Sequence, residues 1–298
     1  MQVSANGVRI EVDIQGPADG EPLLMIMGLG MQLIAWPEGF VDELVARGFR
    51  VIRFDNRDVG LSQPFDELGA ANIPLTALLH TLHLPIKAPY QLADLARDTV
   101  GVLDALGIAK AHVCGASMGG MVAQHLGFAH AQRLKSLTLM MTTSGHRSVP
   151  KESLRVRGAL LSRPKPASTP QQKLENILDH YVGLYSLIGS PGYPPEPQVL
   201  RERLARGVKR SFRPQAVARQ MVAIAADAHR AERLTRITAP TLVIHGEADA
   251  LIPVGAAHDL AKRIPGAQLE TIPGWGHDLP EALWPRLAAS IAANAARA

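Results

Sequence analysis

Runs and alternations of apolar residues divide the chain into strands and helices. Val8-Arg9-Ile10-Glu11-Val12-Asp13-Ile14 alternates strictly, which predicts an antiparallel strand with one covered face, placed at a sheet edge. Gly16-Pro17-Ala18-Asp19-Gly20 reads as a turn. Leu23-Leu24-Met25-Ile26-Met27 is apolar without a break, as in a strand covered on both faces, and stops at Gly28-Leu29-Gly30. A helix from about Glu38 to Arg47 leads to the strand Arg50-Val51-Ile52-Arg53-Phe54 and then to a polar turn, Asp55 to Ser62. Residues 64–90 form a long connection with an apolar helical patch at Leu75, Leu78, Leu79 and Leu82, the kind of segment that borders binding sites. An amphipathic helix begins at Leu92 and closes at Gly107. Ala111-His112-Val113-Cys114 then breaks into small residues, and helical spacing resumes at Met121. Leu134 to Met141 is another buried strand.

Strand, helix, strand, helix, strand is the order of a parallel sheet with helices on both faces. The alternation stops near residue 144. From there to residue 234 helical patches are broken by Pro164, Pro166, Pro170 and the run Ser190 to Pro197, and no segment has the pattern of a buried strand. It resumes with the strand Thr241-Leu242-Val243-Ile244-His245, a helix from Gly255 to Arg263, the strand Ala267 to Ile272 and a last helix from about Pro280 to Ala296. The expectation is an α/β core formed by residues 1–143 and 235–298, with residues 144–234 inserted as a helical cap.

Composition narrows the class. With 298 residues, 47% apolar and 19% charged, the chain can bury a large core and is not of disordered type. The net charge of +4 is scattered, except for Arg201, Arg203, Arg206, Lys209, Arg210 and Arg213. That run has no interleaved aromatics, so it reads as a solvated helix face and no nucleic-acid partner is expected. The single Cys114 rules out an intrachain disulfide. There is no leader-like start and no stretch of 18 apolar residues, so a water-soluble cytoplasmic protein is expected, without membrane insertion, as a monomer or homodimer. His80 and His83 stand one helical turn apart, but no carboxylate or thiol nearby completes a metal set.

Chemistry concentrates at the break after Cys114. Gly115-Ala116-Ser117-Met118-Gly119 has the pattern G-x-S-x-G between a strand and a helix, which puts Ser117 on a sharp turn at the helix N-terminus. A serine needs a base to remove its proton during attack. His277 follows one late strand and Asp249 the strand before it, and the carboxyl ends of strands in an open parallel sheet share one crevice. Ser117, Asp249 and His277, in that chain order, are therefore the expected nucleophile, orienting acid and base. Glu247 and Asp278 are the competing acids. His245 is expected to be structural, and Cys114 buried and inert. An oxyanion would be held by the backbone N–H groups of Met118 and Leu29, the latter in the bend after the first buried strand. A dinucleotide-binding reading of Gly28-Leu29-Gly30 fails, because Leu33 takes the place of the third glycine.

Gly28-Leu29-Gly30, the Asp55 to Ser62 turn, Gly115 to Gly120, Gly246-Glu247-Ala248-Asp249 and Gly276-His277 together resemble the α/β-hydrolase superfamily over nearly the whole chain. The stretches Gly28 to Trp36 and Arg53 to Gly60 are similar to bacterial carboxylesterases of the aclacinomycin methylesterase type. The resemblance implies a serine hydrolase that needs no metal or other cofactor and acts on a small-molecule ester. The pocket is expected between sheet and cap, with Gly28, Trp36 and Trp275 binding substrate and Met118 adding apolar lining, which suits apolar small or medium acyl esters. Met27 replaces the histidine that commonly precedes Gly28 in such enzymes, which leaves only the backbone donor there. Two alternatives remain: a cofactor-free perhydrolase, related to haloperoxidases and using the same three residues, and a non-catalytic ligand-binding relative.

Overall fold

The computed structural model describes residues 1–298. The chain begins with β1 (Gln2–Ala5), β2 (Val8–Gln15) and β3 (Glu21–Ile26), followed by α1 (Glu38–Val45) and β4 (Phe49–Phe54). Next come α2 (Ile73–Thr81), α3 (Leu92–Ala105), β5 (Ala111–Ala116), α4 (Met118–Ala129) and β6 (Leu134–Met140). Four helices follow without a strand: α5 (Leu154–Leu161), α6 (Pro170–Ile188), α7 (Pro197–Arg210) and α8 (Pro214–Ala226). The chain closes with β7 (Thr241–Gly246), α9 (Gly255–Arg263), β8 (Gln268–Ile272) and α10 (Trp284–Ala295).

The strands form one sheet in the order β1-β2-β4-β3-β5-β6-β7-β8, antiparallel at β1–β2 and β2–β4 and parallel from β4 to β8. Val8 to Gln15 is indeed antiparallel, but it is not the edge: the short Gln2–Ala5 strand pairs outside it, through Val3 opposite Ile10. Every residue of β5 and β7 is buried, because helices cover both faces of the sheet centre. One core layer joins α1 and α10 to one face through Phe40, Leu44, Leu287 and Ile291. The other gathers α3, α4 and α9 through Leu95, Val102, Val122, Leu126 and Leu260. Helix α4 is buried from Met118 to Phe128, which explains why it is apolar all round and lacks a polar stripe.

The topology determines where a site can form. The chain passes from β3 outward to β4, then crosses back over β3 to β5 and continues the other way. The strand order therefore reverses between β3 and β5, and the crevice at the carboxyl ends of such a pair is where open α/β sheets bind ligands. The Gly28 bend follows β3 and Ser117 follows β5, so both open on that crevice.

The polar turn after β4 ties the pieces together. Asp55 accepts from the Leu33 and Leu61 amides at 2.7 and 2.8 Å, and Asn56 Nδ2 donates to the Met27 carbonyl at 3.0 Å. Arg57 pairs with Asp98 of α3, and Asp58 with Arg219 of α8 at 2.6 and 2.9 Å. The basic run is solvated at Arg206 and Lys209, as expected of such a face, but its C-terminal end is not. Arg210 Nη1 reaches Asp55 Oδ2 and Gln32 Oε1, both at 2.7 Å, Arg213 donates to the Ser62 carbonyl, and Arg201 pairs with Glu175 and Asp179. Arg210 and Arg213 join the helical segment to the turn after β4, because buried Asp55 and its neighbours offer acceptors that water cannot reach; Arg201 ties α7 to α6. No helix is long and apolar enough to cross a membrane.

Candidate active site

Ser117 sits between β5 and α4 with φ +54° and ψ −120°, a backbone conformation that a non-glycine residue adopts only under constraint. The constraint is visible. The Ser117 amide donates to the Met140 carbonyl at 3.0 Å, and the Thr142 hydroxyl donates to the Ser117 carbonyl at 2.7 Å. A methyl group on Gly115 would collide with the Gly119 carbonyl, and one on Gly119 with the Ile26 carbonyl. Strand, turn and helix are packed backbone to backbone here, which is why the flanking positions carry no side chain. As the first residue of α4, Met118 has an N–H with no intrahelical acceptor.

The structure brings Asp249 and His277 to Ser117. His277 Nε2 lies 3.0 Å from Ser117 Oγ, and His277 Nδ1 lies 2.7 Å from Asp249 Oδ2. The carboxylate fixes the tautomer, since an N–H on Nδ1 leaves Nε2 as the acceptor for the serine hydroxyl. Asp249 Oδ1 accepts the Leu251 and Ile252 amides at 2.9 and 2.8 Å. Burial of Asp249 opposes its charge. The attraction of His277 and the hydrogen bonds from His245 and His277 outweigh that cost and hold its carboxyl well below the usual carboxylate range. His245 is wholly buried, with Nε2 2.7 Å from the Ile252 carbonyl and 3.3 Å from Asp249 Oδ2. It shares in holding the carboxylate and does not approach the serine.

The competing groups point elsewhere. Glu247 is exposed and accepts from the Thr271 hydroxyl at 2.9 Å. Asp278 faces Ser190, whose hydroxyl donates to it, and burial raises its pKa against that hydrogen bond. Cys114 is buried, which pushes its thiol up to about 12.

Gly28 faces Ser117 closely: a Cβ on it would lie 3.1 Å from Ser117 Cβ. Beside it the Leu29 N–H has no acceptor within the protein. Two expectations need correction. Trp36 and Trp275 are both fully buried in the core layer under α1 and α10 and do not line the crevice. Trp36 stacks on Phe40 with ring centroids 6.0 Å apart, and Trp275 Nε1 donates to the Asp278 carbonyl at 2.8 Å. At a strand end an indole can turn up toward the crevice or down under the sheet, and the larger apolar burial lies below.

Sequence reasoning missed the supports contributed by the helical segment. The His277 amide donates to the Ile188 carbonyl at 2.7 Å, and the Gly276 amide donates to Ser190 Oγ at 2.9 Å, so the histidine loop hangs from the end of α6. The Gly30 amide donates to Gln220 Oε1 of α8 at 2.8 Å. Neither Ser190 nor Gln220 belongs to a local motif. Their partners are more than 80 residues away along the chain, so spacing carries no signal.

With this geometry in view, the comparisons with known proteins are informative. Residues 21–281 match the family described as alpha/beta hydrolase fold. The chain is 34% identical to rhodomycin D methylesterase DauP of Streptomyces sp. (strain C5), over 94% of this chain and 92% of that one. It is 33% identical to rhodomycin D methylesterase DnrP of Streptomyces peucetius, over 93% and 91% of the two chains. Among solved structures, the meta-cleavage product hydrolase CumD of Pseudomonas fluorescens IP01 superimposes with a TM-score of 0.72 at 20% identity, covering 100% of this chain and 97% of that one, which speaks for the fold alone. A family match spanning most of the chain, two methylesterase relatives of nearly full length and the mostly parallel eight-stranded sheet agree: this protein is a hydrolase of the α/β-hydrolase family.

Proposed function

We propose that this hydrolase is a serine carboxylic-ester hydrolase that cleaves apolar small or medium acyl esters, methyl esters among them, through an acyl-enzyme on Ser117. The observation that carries the proposal is the continuous hydrogen-bonded line from Asp249 through His277 to Ser117, at the point where the strand order reverses. In this reading Ser117 Oγ attacks the acyl carbonyl carbon while His277 Nε2 takes its proton, and Asp249 stabilises the imidazolium. The carbonyl oxygen becomes an oxyanion held by the Met118 and Leu29 N–H groups. Collapse expels the alcohol, which receives the proton from His277. Water then attacks the acyl-enzyme with the same base, releasing the carboxylic acid and restoring Ser117.

The names of the two methylesterase relatives favour a methyl ester as the scissile group. Residues 144–234 act in this reading as a lid over the crevice, consistent with the contacts of α6, α7 and α8 to the loops around Ser117. The test is a panel of methyl and p-nitrophenyl esters with acyl chains of graded length. The expected result is hydrolysis of the short and medium apolar members by the wild type. Ser117→Ala should lose on the order of 10³-fold or more in kcat with unchanged circular dichroism. Equal turnover by the two proteins would remove Ser117 from the mechanism.

A further inference from the structure

The bend that carries the proposed oxyanion donor is Gly28-Leu29-Gly30-Met31. Its Met31 amide donates to the Gly28 carbonyl at 3.1 Å, and Gly30 has φ +65°. A positive φ at the third position belongs to a type II turn; the type I turn differs by a flip of the central peptide, here the one joining Leu29 to Gly30. Glycine adopts either sign of φ at little steric cost, so the bend itself does not choose between them. The choice comes from outside.

Gln220, wholly buried on α8, accepts the Gly30 N–H through Oε1 at 2.8 Å. Its own orientation is fixed at the other end, where Nε2 lies 3.4 Å from the Arg57 carbonyl; turning the amide over would set two oxygens against each other. Flipping the Leu29–Gly30 peptide would likewise direct a carbonyl in place of the N–H and take the donor away from Gln220 Oε1, leaving a buried acceptor unpaired. Helix α8 also packs directly on this residue, since a Cβ on Gly30 would lie 2.6 Å from Val217 Cγ2.

We propose that Gln220 is a positioning residue for the oxyanion turn: by accepting the Gly30 N–H, one residue beyond the proposed donor, it anchors the turn against α8 and so fixes where the Leu29 N–H stands beside Ser117. The inference rests on the esterase reading above. It makes the helical segment part of the machinery that stabilises the transition state, in addition to any covering role.

The experiment compares the full-length wild type, Gln220→Met and Gln220→Glu on one p-nitrophenyl ester. A trifluoromethyl ketone serves as the probe, because its serine adduct places an oxyanion in the hole. Gln220→Met keeps the length and loses the acceptor; Gln220→Glu keeps an acceptor oxygen toward Gly30 and, as the neutral acid that burial against the Arg57 carbonyl favours, an O–H donor toward that carbonyl. The expected result for Gln220→Met is a kcat lower by about 10- to 100-fold with KM within about twofold, and ketone affinity lower by a similar factor. Gln220→Glu should recover most of both. A folded Gln220→Met with kcat and ketone affinity within about twofold of wild type would overturn the proposal, as would a change confined to KM or a glutamate variant no better than the methionine one. Hydrogen exchange on the wild type gives a check that needs no variant. The Gly30 amide should be protected although it has no backbone partner, and exchange at a free-peptide rate would contradict the proposal. Fluorophosphonate labelling of wild-type Ser117 separates the two readings: a wild type that fails to label removes the esterase reading and this one with it. A wild type that labels and hydrolyses the ester, beside a fully active Gln220→Met, removes the positioning role alone.

Discussion

His277 has an acidic residue on either side of its function, one in contact through space and one adjacent in sequence, and their surroundings give them opposite properties. Asp249 accepts three donors, two amides and the His277 imidazole, with His245 Nε2 3.3 Å away, and remains ionised. Asp278 is buried against the Ser190 hydroxyl, and that burial favours its neutral form. Asp249→Asn should therefore lower kcat by about 10³- to 10⁴-fold, because an amide can select the wrong imidazole tautomer and cannot stabilise the imidazolium. Asp278→Asn and Glu247→Gln should leave kcat within a few-fold of wild type. Asp278 also predicts a direction with pH. Its folded pKa lies above the unfolded one, so the unfolded chain releases this proton first and stability falls as pH rises through the carboxylate range. Thermal melts at a series of pH values should show wild type losing stability relative to Asp278→Asn as the pH rises through that range; a constant gap would contradict it. At this scale the meeting of Ser117, Asp249 and His277 was legible because all three stand at strand ends that open on one crevice. The tryptophans were not. An apolar residue at a strand end has no partner written into its neighbours, and Trp36 and Trp275 are buried in the core layer under α1 and α10.

Among the elements, α8 carries an arrangement that helical periodicity could not disclose. Arg219 and Gln220 are consecutive, and both are buried against the loops beside the crevice, one on Asp58 and one on Gly30. Arg219 donates twice to Asp58, which also accepts from the Tyr90 hydroxyl at 3.1 Å. Removing the guanidinium leaves a buried carboxylate without its counter-charge. Arg219→Met should cost about 3–5 kcal/mol, the range for breaking one side of a buried pair, measured by urea unfolding. A loss below about 1 kcal/mol would mean that the pair behaves as an exposed one. The strands were legible from runs and alternations, and the helical segment from the absence of any buried-strand pattern after β6. What the pattern could not supply was the partner of each charge. A run of six cations along a helix and loop looks solvated until Asp55, far away in sequence and buried, is brought beneath Arg210.

For the whole molecule, the site is a consequence of topology. Crossing back over β3 opens a crevice between the ends of β3 and β5, and the later strands β7 and β8 deliver Asp249 and His277 to the same edge. The helices that follow β6 contact three of the loops around it: Ile188 and Ser190 the histidine loop, Arg210 the Asp55 turn, Gln220 the Gly28 bend. The sheet was legible because strand order follows from few rules; these long-range supports were not, since they depend on contacts between residues far apart in the chain. In the proposed mechanism Ser117 is a nucleophile activated by His277. Treatment of the folded protein with a fluorophosphonate, followed by intact-mass and peptide analysis, tests it most directly. One adduct per chain is expected, on the peptide containing Ala116-Ser117-Met118, and none on Ser117→Ala. An unlabelled folded wild type, or an adduct on any other residue with Ser117 unmodified, would contradict it.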